Sequence, residues 1–121
     1  MIGLRNRVHM FTHPKNKDKF IEFFTNILGC KVMVAPSSLP HPILAFNFEN
    51  GSSLSVEFNE DVEDALDEKQ ARRGAWLELE TDDPYTLKEK ILEAGCRQFD
   101  YTEGFFYFQI PGGQVMRIKL P

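Results

Sequence analysis

Alternating and helical stretches follow one another twice along this chain in the same order. Leu4 to Thr12 alternates, carries Val8, Met10 and Phe11, and is stopped by Pro14, which predicts a strand. From Asn16-Lys17-Asp18 the period changes. Phe20, Ile21, Phe23, Phe24, Ile27 and Leu28 recur at helical spacing as a wide apolar face, and Gly29 stands where such a helix ends. Lys31 to Ala35 predicts a short strand, and Pro36 to Pro42 a Pro/Ser loop. Ile43 to Phe48 and Leu54 to Phe58 alternate on either side of Asn50-Gly51, the pattern of a hairpin with a tight primed turn. Leu54, Val56 and Phe58 then share one face, and Ser55, Glu57 and Asn59 the other.

Glu60 to Arg73 passes from acidic to basic with a faint helical stripe of Val62, Ala65, Leu66 and Lys69. It predicts a partly helical surface connector closed by Gly74. The order then recurs. Ala75 to Thr81 predicts a strand. Asp82 or Asp83 caps a helix with Pro84 in its first turn, its inward face is Leu87, Ile91 and Leu92, and Gly95 ends it. Cys96 to Tyr101 is strand-like. Phe105 to Ile110 and Gln114 to Leu120 form a second hairpin around Pro111-Gly112-Gly113. The two helix ends even share letters, Ile27-Leu28-Gly29-Cys30-Lys31 and Ile91-Leu92-Glu93-Ala94-Gly95-Cys96-Arg97. A repeat of this kind decides the architecture before any site is argued. The expected fold is α+β, two tandem βαβββ modules whose eight strands form a curved mixed sheet around a cleft, with the helices outside. Module one spans 4–60, the connector 61–74 and module two 75–121, within a single domain of ordinary size for 121 residues.

Composition narrows the function classes. Eleven Phe supply a core without disulfides. A net charge of −4, with no run of Lys or Arg, argues against nucleic acid as a partner. No apolar stretch approaches the roughly 18 residues of a membrane span, so no membrane partner is expected. The N-terminal residues lack the apolar core of a signal peptide. Cys30 and Cys96 sit in no CxxC or Cys/His cluster and read as reduced thiols, and the expected compartment is the cytoplasm.

Three stretches, in this order and over nearly the whole length, resemble the vicinal oxygen chelate superfamily, the group of glyoxalases, bleomycin resistance proteins and dioxygenases. They are Arg7-Val8-His9-Met10-Phe11 with the helix end Phe23 to Gly29, Leu77 to Asp83 with the helix end Ala94-Gly95, and the closing hairpin Phe108 to Ile118. Metalloenzymes of this family place ligands at four cleft positions. The resemblance carries these onto His9, Glu57, Trp76 and Arg117. His9 and Glu57 are good ligands by type. An indole N–H only donates, and a guanidinium repels a nearby cation. His13 and Glu78 are substitutes in principle, but four residues of extended chain put His13 about 13 Å from His9.

The same side chains suit a different task. Arg117 is a fixed cation able to hold a carboxylate or phosphate in a bidentate fork, with Glu57 placed to pair with it. Trp76, Phe11 and one face of Phe105 to Phe108 offer flat apolar walls. Glu78 shares the face of Trp76, and His9 offers a hydrogen bond or a general base. The first expectation is therefore metal-independent binding of a small aromatic or anionic molecule in the cleft, through His9, Phe11, Glu57, Trp76, Glu78 and Arg117 and with no cofactor. The alternative is a divalent-metal-dependent lyase, isomerase or dioxygenase of the glyoxalase type, with His9 and Glu57 as half of its site. The resemblance also implies a homodimer, and a degenerate member acting as an interaction module is a third class.

Overall fold

A computed structural model of the chain describes residues 1–35, 41–62 and 67–121, leaving aside the side chains of 68, 72 and 73. It divides into two compact units, Met1–Asp64 and Ala65–Pro121. The expected eight strands are all present, and they pair as two four-stranded mixed sheets, one in each unit. Most of the Pro/Ser loop, 36–40, and the connector positions Ala65 and Leu66 lie outside the described residues.

In the first unit, β1 (Arg7–Thr12) is followed by a short 3-10 turn and by α1 (Lys17–Glu22), which widens into a π-helical turn over Phe23–Ile27. The hydroxyl of Thr25 donates to the Ile21 carbonyl at 2.5 Å, a contact that competes with the regular helical bond at that oxygen. The Leu28 N–H reaches back five residues, to Phe23. β2 (Lys31–Val34), β3 (Ile43–Asn47) and β4 (Ser53–Phe58) complete a sheet of order β1-β4-β3-β2, with β1 parallel to β4. Phe20, Phe24, Phe46 and Phe58 are all buried. Phe20 stacks on Phe24 at 5.2 Å and Phe24 on Phe46 at 4.8 Å, so aromatic contact fixes the helix on the Leu54/Val56/Phe58 face expected from alternation.

The hairpin loop differs from the expected primed turn. A primed turn needs a positive φ at Asn50, whereas among the described residues no non-glycine residue adopts one. Instead the Gly51 N–H closes a turn onto the Phe48 carbonyl, and Gly51 alone takes the left-handed conformation, with φ 88°.

The second unit begins with α2 (Glu68–Arg73), opened by a capping box in which Asp67 and Gln70 satisfy each other's backbone N–H groups. β5 (Leu77–Leu79) is shorter than expected, so Trp76 precedes the strand. α3 (Pro84–Glu93) is capped by Asp83, whose carboxyl is held below its usual range by hydrogen bonds from the Thr86 side chain and backbone. β6 (Arg97–Phe99), β7 (Phe105–Gln109) and β8 (Val115–Lys119) give the order β5-β8-β7-β6, with β5 parallel to β8. Ile91, Phe106, Phe108, Met116 and Ile118 are buried. Leu92, expected inward, is exposed, because it lies one residue round the helix from Ile91. Among the described residues no helix is long and apolar enough to cross a membrane.

Candidate functional site

The second sheet brings together three of the six expected site residues. Cross-strand register sets Glu78, Arg117, Tyr107 and Phe99 in one row across β5, β8, β7 and β6. Strand alternation puts Phe105 and Val115 on the same face, while Phe106, Phe108, Met116 and Ile118 point the other way, into the core.

Arg117 is held at Nε, at Nη1 and against two aromatic rings. Its Nε donates to Glu78 Oε1 at 2.8 Å, and its Nη1 donates to the Tyr107 hydroxyl at 2.9 Å. Its Cζ lies 3.6 Å from the ring centre of Trp76 and 3.8 Å from that of Phe105, so the guanidinium is flanked by two aromatic rings. The partner of Arg117 is thus Glu78 and not Glu57, because parallel pairing of β5 with β8 sets Glu78 directly opposite it. Desolvation works against the charge of Arg117, but the hydrogen bonds to Tyr107 and Glu78 outweigh it and the net direction is upward. Among the described residues Nη2 makes no hydrogen bond.

Tyr107 was legible only as part of an aromatic run. Its hydroxyl faces Thr102 Oγ1 at 3.5 Å as well as Arg117. The Thr102 contact is the main influence lowering its pKa. Burial opposes this, and the hydrogen bond and charge of Arg117 add to the lowering. Ala71 of α2 packs with Phe99, Tyr107 and Val115 on this same face. Beside that cluster opens a pocket of about 380 Å³ lined by Ala71, Gly74, Trp76, Asp100, Tyr101 and Val115. Asp100 and Tyr101 carried no sequence signal as site residues, since they lie in the turn after β6.

The other three expected residues share a face of the first sheet. His9 lies opposite Ser55, and Phe11 opposite Glu57. His9 Nδ1 and Ser55 Oγ are 2.6 Å apart, and the imidazole meets Phe11 edge-on at 4.9 Å between ring centres. Glu57 is buried and accepts from Asn59 Nδ2 at 3.3 Å. His13 serves locally, accepting from the Lys15 N–H to cap the 3-10 turn.

No protein-family model matches the sequence, and no curated protein matches it. Solved structures do. A glyoxylase/bleomycin resistance protein/dioxygenase domain from Frankia sp. EAN1pec superposes with a TM-score of 0.75 at 17% identity, over 99% of this chain and 93% of that one. The chain has the glyoxalase/bleomycin resistance/dioxygenase fold. Two further proteins of similar structure differ in what they bind. The fosfomycin resistance protein FosX of Listeria monocytogenes, solved with Mn(II) and 1S,2S-dihydroxypropylphosphonic acid, matches at TM-score 0.68 and 12% identity, over 99% of this chain and 93% of that one. TnmS3, an antibiotic-binding protein from Streptomyces sp. CB03234, matches at TM-score 0.66 and 16% identity, over 99% and 97%.

A glyoxalase-type metal does not fit the residues found here. Of the four positions that the family resemblance assigns, Trp76 has no lone pair to give, and Arg117 is a cation already fixed to Glu78. Among the described residues no three His, Cys, Asp or Glu side chains gather where one ion could be held.

Proposed function

We propose that this protein is a metal-independent binder of a small anionic molecule, preferably one with an aromatic part, and that Arg117 is its anchor. The observation that carries the reading is the preparation of the guanidinium. Glu78 occupies the Nε edge, Tyr107 orients Nη1, and Trp76 and Phe105 flank the plane. The outer end, with Nη2, is left to a ligand. A guanidinium already immobilised loses little further freedom when it binds, and a planar fork matches a carboxylate or a phosphonate. The exposed indole of Trp76 offers an aromatic ligand an adjoining surface. In this reading His9, Phe11 and Glu57 form a second contact patch on the first sheet, with His9 as hydrogen-bond partner. A homodimer in the cytoplasm is the proposed state.

The solved relatives are compatible with this reading, since the fold houses an antibiotic-binding protein as well as a phosphonate-bound one. The test is calorimetric titration with benzoate and phenylphosphonate, beside elemental analysis of untagged protein purified without added metal. Saturable binding by metal-free protein is expected. Stoichiometric metal, with anion binding lost on chelation and restored by that metal, would overturn the proposal.

A further inference from the structure

The pocket beside α2 has a chemistry of its own. Of the six described residues that line it, Trp76 and Tyr101 contribute exposed aromatic rings, Asp100 contributes a carboxylate, and Ala71, Gly74 and Val115 contribute no polar side-chain atom. Asp100 has neither a hydrogen bond nor an ion pair to its side chain among the described residues, and among the described lining side chains none bears a positive charge. Arg117 is not a wall of the pocket, and its charge, though it lies against Trp76, is already matched by Glu78 at 2.8 Å. Aromatic faces attract cations through their quadrupoles, and a nearby carboxylate adds direct Coulomb attraction.

We propose that this pocket is a second ligand site, separate from the Arg117 fork, and that it takes an organic cation of the alkylammonium class. The ammonium head sits between Trp76 and Tyr101 with Asp100 as counter-ion. A volume of about 380 Å³ accommodates such a head with part of its chain. Phe99 stacks behind Tyr101 at 5.5 Å between ring centres, which steadies that ring. The site shares Trp76 with the anion reading but does not rest on it. A protein that fails to bind benzoate can still bind here.

Trp76 is the chain's single tryptophan, so its fluorescence reports on this wall directly. The probe is choline, titrated beside its uncharged carbon isostere 3,3-dimethylbutanol. Choline is expected to change Trp76 emission saturably, with the isostere about five- to tenfold weaker. Asp100→Asn should weaken choline by a similar factor and leave benzoate affinity unaltered, while Asp100→Glu should restore choline binding. Circular dichroism of each variant checks that it is folded. Equal binding of choline and the isostere, no saturable response to choline, or full choline affinity in folded Asp100→Asn protein would each overturn the proposal.

Discussion

Arg117 Cζ lies 3.6 Å from the ring centre of Trp76, closer than to any other ring near it. This contact joins the last strand to a residue just ahead of β5, and it makes the indole a sensor of the guanidinium. Arg117→Lys keeps the charge but loses the planar fork and the stacked surface. We expect the variant to bind benzoate and phenylphosphonate about tenfold or more weakly, with a shift in Trp76 emission even without ligand. Calorimetry and fluorescence on the same samples check both. Undiminished benzoate affinity in Arg117→Lys would remove Arg117 as the anchor.

Glu78 both positions Arg117 and subtracts from its charge. Glu78→Gln retains an oxygen to accept from Nε while removing the negative charge. Its side chain is half-exposed, so solvent screening keeps the effect small. The expected result is anion binding tighter by about two- to fivefold, most evident at low salt. Weaker binding would mean that positioning of Arg117 by the charged carboxylate outweighs the charge that Glu78 subtracts.

Local patterning explains how much of this was legible in the sequence. Both hairpins follow from alternation, and Pro111-Gly112-Gly113 announces a turn that the structure closes between Ile110 and Gly113, with Gly112 at φ 89°. Arg117 was singled out because the family resemblance sets it at a position where the family's metalloenzymes carry a ligand, and a guanidinium is unusual there. Its partner was not found, because Glu78 is 39 residues away and meets it only through parallel β5–β8 pairing, a register that no local pattern encodes. The π-helical turn at Phe23–Ile27 was hidden for another reason, since the same apolar stripe suits a regular helix. Tyr107 shows the opposite case. Alternation from Phe105 places its hydroxyl on the site face, but that face of the run is read only as an apolar wall and not as a hydrogen-bonding group.

Ionisation of Tyr107 should be visible as a pH effect on binding. Its pKa lies below the ordinary 10.0, with the Thr102 hydrogen bond as the first cause. Deprotonation places a negative charge against the Arg117 fork. Affinity for benzoate should therefore fall as pH rises through the alkaline range, earlier than an ordinary tyrosine would ionise. On stability the sign is the opposite. A lowered folded-state pKa contributes stability above the unfolded value, and that contribution is lost as pH falls through the folded value. Titration of phenolate absorbance alongside calorimetry checks the coincidence, and Tyr107→Phe should flatten the affinity profile.

The aromatic stack under the first sheet should carry much of that unit's stability. Phe24 is fully buried and touches Phe20, Phe23 and Phe46. Phe24→Ala is expected to cost about 3–5 kcal/mol. Leu92→Ala, on the exposed side of α3, should stay within about 0.5 kcal/mol. Urea denaturation of both variants measures the contrast. A small loss for Phe24→Ala would show that the helix is not fixed on the sheet by this stack.

The two thiols should make the protein sensitive to alkali. Burial raises Cys30 from the ordinary 9.0 to about 12 and Cys96 to about 11, because a thiolate is poorly solvated at either place. Well below pH 9 both thiols are protonated whether the chain is folded or not, so they impose no pH dependence there. Above that, the unfolded chain releases its protons while the native one holds them, and unfolding gains. Stability should decline from about pH 9 and continue to decline until the native thiols themselves ionise. The urea midpoint, followed from neutral to alkaline pH, tests this against Cys30→Ala and Cys96→Ala, whose profiles should each be shallower. The same physics predicts that both thiols react slowly with a disulfide reagent in the native protein at neutral pH and rapidly in denaturant. Fast labelling of the native protein would show that Cys30 and Cys96 are less enclosed than the fold makes them.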